Sequence, residues 1–269
     1  MTHLDRPFTG DVNGPLWGRG AADWSQLLEP QFRPLYEAAF DRLGMVVGHD
    51  YLDVGCGAGL ALQVAKRRGA RITGLDASAA LLAVARERVP DADLRQTDLQ
   101  QLPFAAHAFD RVSGFNAFQY AADPAAALAE AGRVCRPGGG ILIATWGPPD
   151  RMEAASLIAA LKPLLPPAPP GAPGPFALSD EPTLRNLAQS AGLAPGDCFD
   201  VATRWSFDTL ELACRALKSA GVAARAVDHS GEAAVDAAHA AAWAPFRQSD
   251  RGYAATAIFR CLIAAPRRD

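Results

Sequence analysis

Three aspartates, Asp53, Asp76 and Asp98, each close a short run containing apolar residues, and the first is followed by glycines at alternate positions, Gly55, Gly57 and Gly59. Glycine reaches φ > 0 without strain and lets a small molecule lie directly against the peptide groups, while the helix that follows presents free N–H donors at its N-terminus. A carboxylate at the end of the next strand, Asp76, can accept two hydrogen bonds from the vicinal hydroxyls of a ribose. Those residue types in that order describe a cleft for a nucleoside-bearing ligand. A dinucleotide fingerprint would read G-x-G-x-x-G, and the position of its third glycine is Leu60.

These residues need parallel strands that end side by side. Tyr51–Val54 reads as a buried strand, Leu60–Arg68 as a helix stopped by Gly69, and Arg71–Asp76 as the second strand. Ser78–Val89 is an amphipathic helix and Ala92–Leu99 a third strand; Phe109–Asn116 makes a fourth, with Asn116 at the cleft. Asp123-Pro124 starts a helix that runs through Val134 and stops at Arg136-Pro137-Gly138-Gly139-Gly140, before the apolar strand Ile141–Trp146.

The pattern Asp53-x-Gly55-x-Gly57-x-Gly59 resembles the first motif of the class I S-adenosylmethionine (SAM) dependent methyltransferases. The resemblance runs from Tyr51 to Trp146 and takes in Leu102-Pro103-Phe104 and the Arg136-Pro137-Gly138-Gly139 turn. It implies an α/β fold: a doubly wound, Rossmann-like sheet of seven strands, mostly parallel with an antiparallel edge strand, plus a helical cap. Its sixth and seventh strands would pair antiparallel, at Asp197–Phe207 and Tyr253–Ile263. The implied cofactor is S-adenosyl-L-methionine, bound by Asp53, Gly55, Cys56, Gly57, Gly59, Asp76, Ala77, Thr97, Asp98, Leu99 and Asn116. In that family the acid at the place of Asp98 bonds the adenine amino group, and the side chain at Leu99 packs on the ring.

The flanks carry the candidate acceptor site. Residues 1–45 read as an N-terminal helical lid interrupted at Glu29-Pro30 and Arg33-Pro34, and residues 46–269 as the methyltransferase domain, with cap insertions at about 147–178 and 208–251. Trp17, Trp24, Phe118 and Tyr120 are candidate walls for a small-molecule acceptor, with packing against the sheet as the alternative. Arg19 is placed to meet a carboxylate. Tyr120 and His229 are the candidate bases, against packing and surface roles respectively. Asp208 with Glu211 reads as a capping pair at the start of the cap. Seven prolines between Pro163 and Pro175 suggest extended coil, with peptide recognition as a minor possibility.

Composition narrows the class further. The 269 residues carry 26 Lys+Arg against 29 Asp+Glu, and 49% are hydrophobic, which gives no footprint for nucleic acid. Five dispersed cysteines without a Cys-x-x-Cys pair suggest neither disulfides nor a metal, and no apolar stretch reaches membrane-spanning length. A cytoplasmic monomer or homodimer is the expectation. A NAD(P)-dependent oxidoreductase is the alternative enzyme, weakened by Leu60 and by three lysines, Lys66, Lys162 and Lys218, none in a Tyr-x-x-x-Lys pair. A SAM-binding protein that transfers no methyl group is the other alternative.

Overall fold

A computed structural model describes residues 8–167, 174–249 and 252–267. Seven strands form one sheet: β1 (Asp50–Val54), β2 (Arg71–Asp76), β3 (Asp93–Gln96), β4 (Phe109–Phe115), β5 (Cys135–Trp146), β6 (Leu193–Phe207) and β7 (Tyr253–Pro266). Their order is β3-β2-β1-β4-β5-β7-β6. The first five strands pair in parallel, and β7 runs antiparallel to both β5 and β6. Such a sheet reverses its order between β1 and β4, and ligands lie in the crevice beyond the strand ends at that point.

β5 begins at Cys135 instead of Ile141 and takes in the expected Arg136–Gly140 turn, and β3 and β6 differ from expectation as well. β3 stops at Gln96, so Thr97, Asp98 and Leu99 lie past the ladder, where their side chains are available to the crevice. β6 begins at Leu193 and bends through a register shift between Pro195 and Cys198, which its prolyl residue, lacking an N–H, accommodates.

Between the strands stand α4 (Leu60–Arg67), α5 (Ala79–Arg88) and α6 (Pro124–Val134). Asp123 caps α6 by accepting from the amides of Ala125 and Ala126, and Ser78 caps α5 by accepting from Leu81. α7 (Ala154–Ala159) follows β5, and α8 (Glu181–Ser190) packs beside α6 on β6 and β7. One apolar layer joins Leu52, Val54 and Val112 to Leu128 and Leu184, while the opposite layer joins Tyr51 and Leu142 to Phe40, Leu62 and Trp205. Each fully buried Leu or Phe of this kind is worth about 1.5–3 kcal/mol relative to exposure.

The N-terminal arm is helical with changing pitch. α1 (Gly10–Gly18) and α2 (Ala21–Asp23) lead into a π turn at Trp24–Leu28, a 3-10 turn at Glu29–Phe32 and then α3 (Arg33–Leu43), which ends at Gly44 with φ +65°. Pro30 and Pro34 occupy early positions of successive turns, where no amide is needed, so they alter the winding instead of stopping it. The cap consists of α9 (Leu210–Lys218), α10 (Gly221–Ser230) and α11 (Glu232–Trp243), packed through Ala213, Ala216, Ala223 and Ala226. Its start is Thr209, whose hydroxyl accepts from the amide of Leu212, so the cap falls one residue after the expected Asp208 of the Asp208–Glu211 pair. The middle of the proline-rich stretch, residues 168–173, lies outside the described residues, as do residues 1–7 of the expected lid. Among the described residues no helix is long and apolar enough to cross a membrane.

Candidate cofactor cleft

The turn after β1 has Gly55, Gly57 and Gly59 all at positive φ, +74°, +53° and +81°. At Gly55 a Cβ would stand 2.6 Å from that of Ala117, so the close approach of the β4 turn also demands glycine there. The amides of Gly55 and Cys56 both donate to the carbonyl of Leu75, tying the turn to β2. Gly59 begins α4 and faces Ala85 of α5; it turns away from the crevice, so its part is to shape the backbone.

Each acid is held from behind. Asp53 is 2% exposed and accepts from Ser113 Oγ at 2.6 Å, which in turn shares a 2.6 Å hydrogen bond with Tyr51 Oη; burial pushes the Asp53 carboxyl up to about 7. Asp76 accepts from the amides of Gly57 at 2.9 Å and Ser78 at 2.8 Å, and burial raises its pKa although those amides oppose the shift. Asp98 accepts from the amides of Gln100 and Gly10, each at 2.8 Å. A carboxylate has about four lone-pair sites, so these bonds orient each acid and leave acceptor capacity toward the crevice.

α1 lies directly on this edge. A Cβ on Gly14 would fall 2.4 Å from the carbonyl oxygen of Ala77, and one on Gly10 would fall 2.9 Å from Asp98 Oδ2. Thr9 Oγ1 and Asn13 Nδ2 donate to the carbonyl of Tyr120, at 2.7 and 3.3 Å, pinning the start of the helix across the crevice. From the last turn of α1, Trp17 packs edge-on against Trp24 (5.0 Å) and Tyr120 (5.8 Å). Glu29, 2% exposed, accepts from the amide of Leu60 at 3.2 Å and pairs with Arg88, which also donates to the carbonyls of Ala58 and Ser25.

One cavity gathers these groups. Its wall includes Asp53, Gly55, Cys56, Gly57, Asp76, Ala77, Thr97, Asp98, Leu99 and Asn116 from the strand ends, and Trp17, Trp24 and Tyr120. Gly10, Gly14, Glu29, Phe32, Tyr36, Phe115 and Phe259 also line it; sequence reading missed them because they belong to no local motif. Asn116 takes φ +50°, the conformation that turns the chain off β4, and accepts from Gln119 Nε2.

Three expectations are corrected. Phe118 is 1% exposed and fills the space left by Gly114, whose Cβ would sit 2.4 Å from its ring; it is core and not wall. His229 lies exposed at the end of α10, bonded to Ser230 Oγ and off the cavity wall. Tyr120 does line the cavity, but burial pushes its hydroxyl up to about 12, which unsuits it as a base near neutral pH. The cap contributes no residue to the described wall. It braces the lid instead, through Gly221 against Trp17, Gly20 against Ser219, and the ion pairs Arg19–Asp228 (2.5 Å) and Arg215–Asp23 (2.6 Å). Among the described residues no cluster of His, Cys, Asp and Glu is disposed to hold a metal ion.

Residues 52–143 match the family model of a methyltransferase domain. The chain is 34% identical over 128 residues to the ubiquinone biosynthesis O-methyltransferase of Hahella chejuensis, a match covering 44% of this chain and 54% of that one. It therefore spans about half the length of the curated relatives it matches. Among solved structures, the methyltransferase captured with the Haloferax volcanii Trm112 methyltransferase activator superposes with a TM-score of 0.60 at 19% identity, covering 94% of this chain and 98% of that one. The [4+2]-cyclase SpnF superposes with a TM-score of 0.54 at 20% identity, over 86% of this chain and 80% of that one. Strand order, glycine turn, family-model match and relatives agree: residues 52–143 match a methyltransferase domain, and the chain is similar to S-adenosylmethionine-dependent methyltransferases in fold and motif.

Proposed function

We propose that this protein transfers the methyl group of S-adenosylmethionine to a small-molecule acceptor by in-line displacement. The observation that carries the reading is the convergence of Asp53, Asp76 and Asp98, with the positive-φ glycine turn, on one cavity roofed by an aromatic arm. Asp76 holds the ribose hydroxyls, Asp98, Thr97 and Leu99 the adenine, and Asp53, Gly55 and Asn116 the methionine arm, whose ammonium suits a carboxylate. Gly57, Cys56 and Ala77 form the surface on which the nucleoside lies.

Because a sulfonium is already an activated donor, the protein's work is alignment and exclusion of water. Phe32, Tyr36, Phe115, Phe259 and Trp17 supply an apolar wall for the acceptor, with the hydroxyls of Tyr36 and Tyr120 as neutral hydrogen-bonding groups. Burial raises both hydroxyls above the ordinary tyrosine value, and neighbouring Glu29 and Asp53 push Tyr36 the same way. The acceptor is an apolar metabolite whose nucleophile needs little deprotonation.

The test is incubation of the protein with SAM bearing a trideuterated methyl group and metabolite extract, read by mass spectrometry. A labelled product establishes transfer and identifies the acceptor. Tight SAM binding without transfer to any acceptor would favour the non-transferring alternative, which the likeness to a cyclase of this fold keeps in play.

A further inference from the structure

In nucleotide-binding folds, the amides of the glycine turn and of the first helical residues are where a phosphate or pyrophosphate sits. Here two of those amides are committed to carboxylates of the chain itself. Gly57 donates to Asp76 at 2.9 Å, and Leu60, the first residue of α4, donates to Glu29 at 3.2 Å. Glu29 arrives from 31 residues upstream, is 2% exposed, and lies on the cavity wall. Its partner Arg88 is itself engaged by the carbonyls of Ala58 and Ser25, so the pair is fixed in place. A second anion entering this end of the cleft would displace Glu29 or lie beside it in a water-poor site.

We propose that Glu29 is a specificity-determining residue: a resident anion at the N-terminus of α4 that turns away phosphate-bearing adenine nucleotides and admits an adenosine whose 5′ substituent is uncharged or cationic. The inference rests on the cofactor reading above and adds the reason that a dinucleotide cannot use this turn. Leu60 in place of a glycine alters only the backbone fit, whereas Glu29 opposes the ligand's charge.

The experiment measures dissociation constants of the full chain for 5′-methylthioadenosine, AMP, ADP and NADH, by calorimetry. For the wild type, 5′-methylthioadenosine binds at least about tenfold more tightly than AMP, and ADP and NADH bind more weakly still. Glu29→Gln keeps the shape and an acceptor for Leu60 but removes the charge, leaving Arg88 to attract a phosphate. In that variant the gap between 5′-methylthioadenosine and AMP closes by about tenfold, while 5′-methylthioadenosine itself changes only a few-fold. Should Glu29→Gln fail to fold, the double variant Glu29→Gln with Arg88→Met removes both charges together; its gap still closes, by less than about tenfold because no cation is left to attract the phosphate. Equal affinity of the wild type for AMP and 5′-methylthioadenosine, or an unchanged gap in the variant, overturns the proposal. Failure of the wild type to bind either 5′-methylthioadenosine or S-adenosylhomocysteine overturns the cofactor reading instead.

Discussion

Two helical regions stand over the strand ends, the N-terminal arm from Gly10 to Leu43 and the cap from Leu210 to Trp243, and they do different work. The arm enters the cavity wall with Gly10, Gly14, Trp17, Trp24, Glu29, Phe32 and Tyr36. The cap supplies none of the described wall and meets the arm from behind, through alanines, two glycine contacts and exposed ion pairs. Composition alone makes the two look alike, since both are helical and rich in small residues. The difference lies in what each packs against: the arm closes on carboxylates and glycines of the cleft, and the cap closes on the arm. The arm therefore forms part of the cavity, and the cap backs the arm.

The largest effect is expected where the cleft's own acid is removed. Asp76→Ala deletes the acceptor proposed for the ribose and that of two backbone amides; it should weaken S-adenosylhomocysteine binding by about 1.5–3 kcal/mol, roughly 10- to 150-fold, in calorimetry, with the sheet still folded. Unchanged affinity would move the ribose elsewhere. Next comes the seam between arm and cleft. Gly14→Ala drives a methyl into the Ala77 carbonyl and should cost about 1–3 kcal/mol of arm docking, visible as weaker cofactor binding and faster tryptic cleavage at Arg19, while the melting of the sheet domain holds. If melting falls and cleavage at Arg19 does not change, the arm belongs to the core and not to a separable roof.

A pH series sharpens the electrostatic side. Asp53 titrates at about 7 in the folded chain, far above the ordinary carboxylate value, so the folded state holds a proton that the unfolded chain has released. Its contribution to stability therefore falls as pH rises from about 4 to about 7 and is level above that. Urea unfolding of wild type and Asp53→Asn across that range should show the difference between them shifting in the variant's favour with rising pH; a constant difference would mean that Asp53 is ionised throughout. The smallest effects are expected on the cap and at the rejected bases. Arg19→Ala, with both partners half exposed, and His229→Ala should each change stability by no more than about 0.5 kcal/mol. Tyr120→Phe should change the transfer rate only a few-fold, since Thr9 and Asn13 bond its carbonyl and not its hydroxyl. A loss of about a hundredfold would restore Tyr120 as a base.

How far the sequence could be read follows the range of the interactions. The glycine turn, the strand-end acids and the helix cap at Asp123 are local devices, each written within a few residues, and their placement was legible. The parallel run of the first five strands followed from the βα alternation, and the antiparallel pairing of the sixth and seventh from the resemblance to a family. What was hidden depends on contacts across the chain. Glu29 meets Leu60 and Arg88, Gly14 meets Ala77, and nothing near those residues announces it. Phe118 and Tyr120 are two positions apart on one 3-10 turn, yet the first points into the core under Gly114 and the second into the cavity; the turn's three-residue period sends them to different sides. His229 looked available for chemistry because its sequence neighbours are charged, but its helix presents that end to water.

Phe259 has a bearing on how this scaffold would respond to redesign. It reaches the cavity from β7, stacks on Trp146 at 4.8 Å and meets Phe32 at 5.1 Å, so a strand anchored on both sides by ladders carries part of the cavity wall. The glycine seam of α1 meets backbone at Ala77, whereas the ring neighbours of Phe259 are the side chains of Trp146 and Phe32. A library meant to widen acceptor scope belongs at Phe259 and Phe32, leaving α1 untouched, and the diversity it yields would be one of chamber size at a constant cofactor grip.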